Sequence, residues 1–177
     1  MHLATRVLDA EPRCGRTRLV CVDGRSGSGK TTFGGRLAAA LGGAPVLHMD
    51  EICPGWDGLA ASVSLLHTGV VASLLAGREA TCRRWDWVRS APAETVSLGR
   101  PPLLVVEGVG SGARVIAADA VLLVWMDAPR EVRYRRGIAR DGDSYRPHWE
   151  RWAAQEDLHF AAERTRDRAD LHLDGRG

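Results

Sequence analysis

The sequence predicts an α/β fold: a three-layer sandwich with one parallel five-stranded sheet, helices on both faces and a small arginine-bearing lid. Three observations point there. Short apolar runs alternate with segments of helical periodicity, the pattern that lays helices across a parallel sheet. Five such runs occur, enough for one five-stranded sheet. A glycine-rich turn, Gly24 to Thr31, falls between the first run and the first helical segment. The length of 177 residues suits a single domain with its own core, so 1–177 is read as one unit.

The expected strands are "RLVCVD" (18–23), "APVLHM" (44–49), "PLLVVE" (102–107), "AVLLVWM" (120–126) and "DLHL" (170–173). Helices are expected to begin at Lys30, near Ala60, near Gly110, at Pro129 and near Pro147. Proline suits the first turn of a helix because its missing N–H has no partner there anyway. Asp127 is expected to cap the helix at Pro129. Residues 50–101 are the least regular and read as an acceptor-side insertion over the sheet. "RDGDS" reads as a turn, so 133–150 is taken as a lid region.

Composition narrows the partners. The net charge is +2, which gives no bulk electrostatic case for nucleic acid or membrane binding. No apolar run is long enough to span a bilayer. The first residues lack the apolar core of a signal peptide. The cysteines Cys14, Cys21, Cys53 and Cys82 form no Cys-x-x-Cys pair, and Cys21 reads as a buried thiol. A reduced, cytoplasmic protein without structural zinc is expected, with a small-molecule partner and homo-oligomerisation left open.

The turn Gly24-Arg25-Ser26-Gly27-Ser28-Gly29-Lys30-Thr31, followed by Thr32, matches Gly-x-x-x-x-Gly-Lys-Thr in its required strand-to-helix setting. Its glycines let the backbone wrap phosphate oxygens, and successive N–H groups with the following helix N-terminus favour anions. Lys30 is expected on the β- and γ-phosphates and the Thr31 hydroxyl on magnesium. ATP and Mg2+ are therefore the expected cofactors. This is the P-loop NTPase signature, and it predicts nucleotide binding without naming a reaction.

Ligands of parallel sheets sit beyond the carboxyl ends of the strands. Asp50 and Glu51 follow the second strand, and either suits the base that accepts a hydroxyl proton. Glu107 follows the third strand, placed to hold magnesium through water or to orient a water. No Asn-Lys-x-Asp for guanine is present, and Glu-Gly stands where motor ATPases carry Asp-Glu. Arg133, Arg136 and Arg140 fall within roughly 60° on a helical wheel, a stripe suited to neutralising a transferring phosphoryl group. Glu156 lies within an aromatic stripe, where a buried carboxylate needs a partner; a lid arginine is expected. In "CRRWDWVRS", Trp85 and Trp87 share one face of an extended chain, with Asp86 opposite and Arg89 beyond. Indoles suit a flat ligand and Asp86 suits vicinal hydroxyls. Trp56 is a further pocket wall.

These pieces resemble the uridine kinase-like branch of the P-loop kinases, and within it short ATP-binding proteins of high-GC bacteria. The resemblance runs over about residues 17–175 and is carried by "VDGRSGSGKTT", "LHMDEICPGWDGL", "RRWDW", "LLVVEGVG", "YRRGIARDG" and "RADLHLDG". It implies Asp50 as general base, Trp85-Asp86-Trp87 as the element positioning sugar hydroxyls, Arg89 as the downstream arginine, Glu107-Gly108 after the third strand, and Arg140-Asp141 in the lid. Ile52-Cys53 stands where that family carries a phenylalanine–tyrosine pair. The expectation is magnesium-dependent transfer of the ATP γ-phosphoryl group to a hydroxyl of a small molecule, first a nucleoside such as uridine or cytidine. The alternatives are a nucleotide-binding regulator or slow ATPase, or a kinase for a nucleoside monophosphate or a non-nucleoside alcohol.

Overall fold

The computed structural model describes residues 3–175. In chain order the elements are α1 (Leu3–Asp9), β1 (Arg18–Gly24), α2 (Lys30–Ala40), β2 (Val46–His48), α3 (Met49–Ile52) and α4 (Leu59–Leu66). A π-helical turn, His67–Val71, joins α4 to α5 (Ala72–Leu75). Next come β3 (Ala80–Asp86), β4 (Ala91–Gly99), β5 (Leu103–Glu107), α6 (Arg114–Ala117), β6 (Ala120–Asp127) and α7 (Arg130–Asp141). Two 3-10 turns, Gly142–Ser144 and Arg146–His148, lead to α8 (Trp149–Glu163), α9 (Thr165–Arg168) and β7 (Leu171–Asp174).

Five strands form one parallel sheet in the order β2-β5-β1-β6-β7. The fold class expected from the sequence is the one observed. Alternation along β1 shows how both faces are filled. Leu19 and Cys21 join the core packed by α4, α5 and the π turn, while Val20 and Val22 join the core under α1 and α2. All four are fully buried, which is why the run has no polar alternation. A third apolar cluster, with Tyr145, Trp149 and Trp152, holds α7 and α8 against the loop after β2.

Several local expectations need correcting. The 50–101 stretch, expected to be irregular, contains an antiparallel hairpin, β3–β4, whose strands are only partly shielded. The helix expected near Gly110 is a short turn beginning at Arg114, because a glycine loop intervenes. Asp127 does not cap α7. It closes β6 and accepts the Ala128 N–H, and Pro129 holds the cap position. The α-helix expected near Pro147 begins at Trp149, after a 3-10 turn containing the proline.

The glycine loop is organised by Asp23, a fully buried carboxylate at the end of β1. Its Oδ1 accepts the N–H groups of Gly24 (2.7 Å) and Gly110 (3.0 Å), and its Oδ2 that of Gly112 (2.9 Å). Burial lifts its pKa to about 6, against the opposing pull of these amides and of Lys30. A raised carboxyl pKa means that the folded state binds the proton more tightly. Ionisation therefore costs stability as pH rises from about 4 to about 6, on the order of 3 kcal/mol in all. In Asp23→Asn that penalty disappears, but one amide donor faces another. Urea unfolding is expected to show the variant gaining on the wild type between about pH 4 and about pH 6 and levelling off above; a pH-independent gap between the two would refute the assignment.

Candidate active site

The phosphate loop lies at the carboxyl end of β1, and both sides of its tip are clamped. Ser26 donates its N–H to Glu156 Oε1 at 2.7 Å, while its carbonyl accepts Nη1 of Arg133 at 3.4 Å. Gly27 lies against the backbone of α7, with φ of 78°; a Cβ there would meet the Arg133 carbonyl at 2.3 Å. Glycine is required at this position by contact as well as by conformation. Lys30 is nearly buried and donates Nζ to the Arg25 carbonyl at 2.9 Å. The Ser28 hydroxyl is buried without a hydrogen-bond partner in the protein.

Glu156 is 1% exposed. Trp152 Nε1 also donates to its Oε1, at 3.0 Å, and its Oε2 lies 3.7 Å from Arg25 and 3.8 Å from Arg133. The lid arginine expected as its partner is present in Arg133, but the main partners are the Ser26 amide and the Trp152 indole. Burial raises the Glu156 pKa, opposed by the Ser26 amide and the Lys30, Arg133 and Arg25 charges. Arg25 turns outward to Asp157 at 2.6 Å.

The expected arginine stripe is divided. Arg133 is buried, with Nε on the Ala128 carbonyl at 3.0 Å. Arg136 donates to the Gly175 carbonyl at 2.5 Å. Arg140 makes a bidentate pair with Asp141 and is the member whose charge acts on Asp50. A wheel groups residues by angle, but partners from distant segments set where each guanidinium is held.

Asp50 lies in α3, immediately after β2. Its side chain meets water, yet it stands in a cleft crowded by protein. That crowding raises its pKa, and the Arg140 and Lys30 charges counter the rise; contact with water limits it. Glu51 pairs with Arg84 on the hairpin at 3.3 Å. Glu107 Oε1 accepts the Thr31 hydroxyl at 3.0 Å and lies 2.5 Å from His48 Nδ1. Burial alone would raise Glu107, but the His48 hydrogen bond and the Lys30 charge outweigh it and hold the carboxyl below its ordinary value. The same bond raises His48. The hard oxygens of Thr31 and Glu107, with the unpartnered Ser28 hydroxyl between the loop glycines, suit a magnesium–triphosphate group. Thr32 is exposed on the first turn of α2.

Of the three tryptophans singled out, Trp56 and Trp87 come into ring contact. Trp56 is stacked on Tyr145 (centroids 5.1 Å, 12°) and on His148 (4.7 Å, 15°), and Trp87 leans on it at 4.9 Å. Trp87 Nε1 donates to the Asp50 carbonyl at 2.9 Å, tying the hairpin to the cleft. The Trp85 indole nitrogen is buried without a partner. Asp86, expected to face a diol, closes the hairpin turn: its Oδ1 accepts the N–H groups of Val88 and Arg89, and Arg89 is mostly exposed. His48, Tyr145 and His148 were not singled out from the sequence. His48 had a signal, its place at the strand tip two residues before Asp50.

Crystal structures of the same architecture include a "possible uridine kinase" from Bacillus stearothermophilus, 24% identical over 97% of this chain and 95% of that one, TM-score 0.69. A provisionally named fructose transport system kinase from Silicibacter sp. TM1040 is 22% identical over 97% of each chain, TM-score 0.64. This chain shares their fold, an α/β sandwich on a parallel five-stranded sheet. No protein-family model matches the chain, and no curated protein sequence matches it. Among the described residues, no helix is long and apolar enough to cross a membrane.

The clamp on Ser26 has a measurable cost when broken. Glu156→Ala leaves a buried amide and an indole N–H without an acceptor and the Arg133 charge with Asp127 as its one remaining ion pair among the described residues, and is expected to lose about 3–5 kcal/mol in urea unfolding. Glu156→Gln keeps an acceptor for Ser26 and is expected to lose less, about 1–3 kcal/mol.

Proposed function

We propose that the protein is a P-loop kinase that moves the γ-phosphoryl group of ATP to a hydroxyl of a small molecule, with a nucleoside as first candidate. The observation that carries this reading is Asp50. It is a water-accessible carboxylate at the tip of β2, with a raised pKa, within reach of the Lys30 and Arg140 charges. Glu51, the other candidate base, is engaged by Arg84.

In this reading the loop amides from Gly24 to Thr32 and Lys30 hold the triphosphate. Thr31 and Glu107 hold magnesium, which neutralises charge on the phosphates when bound. The acceptor oxygen attacks the γ-phosphorus, the bond from that phosphorus to the β–γ bridging oxygen breaks, ADP leaves, and the acceptor proton passes to Asp50. Arg140 offsets the charge of the transferring group. Arg133 and Arg136 act one step back, by holding Ser26 and the Gly175 carbonyl. Trp56, Trp85 and Trp87 form the acceptor wall, and Asp86 and Arg89 shape it through the hairpin turn.

A second reading, a nucleotide-binding regulator or slow ATPase, draws on Trp56. Tyr145 and His148 both stack on its indole, so part of the ring surface that a base would use is already occupied. ATP consumption with magnesium, measured against nucleosides, nucleoside monophosphates and other small alcohols with Lys30→Ala as blank, separates the two. Stimulation by one acceptor supports the kinase, and slow hydrolysis indifferent to every acceptor supports the regulator.

Asp50→Asn is expected to lower transfer by about 10²–10⁴-fold while nucleotide affinity stays within a few-fold. Unchanged transfer would remove Asp50 as base. The pH profile gives a further check. Loss of activity towards acid is expected above the ordinary aspartate range, since protonated Asp50 cannot accept the proton. Arg140→Gln removes a charge that lowers the Asp50 pKa, so the acid limb should move to higher pH as well as fall in height.

A further inference from the structure

At the opposite end of the sheet from the phosphate loop, the entry to β1 and the entry to β5 border an open cavity of about 720 Å³. We propose that this cavity is a second anion site, which takes a small phosphorylated molecule; the proposal stands whether or not the protein is a kinase. Three guanidiniums line it, Arg16, Arg18 and Arg100, against one carboxylate, Glu11. Among the described residues none of these arginines forms an ion pair, although fifteen ion pairs occur elsewhere and occupy many of the other arginines.

The walls are built rather than incidental. Thr17 is buried and donates its hydroxyl to the Pro101 carbonyl at 2.6 Å, joining the two strand entries. Gly15, with φ of 62°, packs so closely on the 74–77 turn that a Cβ would meet the Leu74 carbonyl at 2.2 Å. Arg18 Nε is fixed by the Ala10 carbonyl at 2.7 Å, and Arg100 Nη1 by the Gly77 carbonyl at 3.1 Å. Each anchor uses one of the five N–H donors of a guanidinium and holds the plane of the fork, with the remaining donors available to a ligand. Such forks match phosphate oxygens bidentately. Leu74 supplies an apolar floor for the organic part. The volume falls within the range of small-molecule sites. β1 runs directly from Arg18 to Gly24, so the site is one strand away from the phosphate loop.

The test uses the full chain carrying Lys30→Ala, which disables the phosphate loop, with AMP and inorganic pyrophosphate as probes in calorimetry at low salt. Saturable binding of one or both is expected, weakened at least about tenfold when Arg16→Gln and Arg100→Gln are added, since each removes a charged phosphate contact. Both substituted residues are exposed, and circular dichroism confirms the fold of the variant. Absence of saturable binding into the millimolar range overturns the proposal. So does binding that the arginine substitutions leave unchanged.

Discussion

One nearly buried lysine charge sets the electrostatics of the cleft. Lys30 acts on four carboxylates, Asp23, Asp50, Glu107 and Glu156, and lowers the pKa of each. They come from four different elements: the end of β1, the helix after β2, the end of β5 and the middle of α8. A row of backbone N–H groups beside a buried ammonium is a strongly positive environment, and isolating it from water would be costly without balancing anions. The carboxylates supply that balance internally. Three are themselves nearly sealed, so each also needs its own hydrogen-bond donors, which the Gly24, Gly110 and Gly112 amides, His48 with Thr31, and Ser26 with Trp152 provide. Asp50 differs in meeting water and in having no such set of donors. In the kinase reading proposed above, that difference fits it for proton transfer.

The sheet was legible because its strands are buried on both faces, and a continuous apolar run such as "LLVVE" has few other uses. The phosphate loop was legible because its chemistry requires glycines at fixed spacing. The hairpin was not, since β3 carries Arg83 and Arg84 on a half-exposed ribbon and reads as neither helix nor buried strand. The role of Glu156 was half visible: a carboxylate within an aromatic stripe signals a buried partner. That the partner is the backbone amide of Ser26 could not be read, because a backbone donor has no side-chain signature. The same holds for Asp23, whose partners are three glycine amides. Arg136 illustrates the converse limit. Its angular position is correct on the wheel, yet its partner is a carbonyl beyond β7.

The helix α8 links the two halves of the cleft. On one side, Gln155 donates to the Trp56 carbonyl at 2.6 Å, Arg151 pairs with Asp57, and Trp152 meets the Trp56 ring edge-on at 6.5 Å. On the other, Glu156 holds Ser26. Residues 151–156 span little more than one and a half turns, so these contacts share one short rigid rod. A rotation of α8 that released Ser26 would also pull on the Trp56 segment, and a shift of Trp56 would strain the Glu156 clamp. Buried hydrogen bonds of this kind do not stretch gradually, because a lost partner leaves an unsatisfied group. The phosphate loop and the aromatic wall thereby share contacts with one helix. α8 is thus one physical link between the two halves of the cleft, beside the link through Arg133 on α7 and Tyr145.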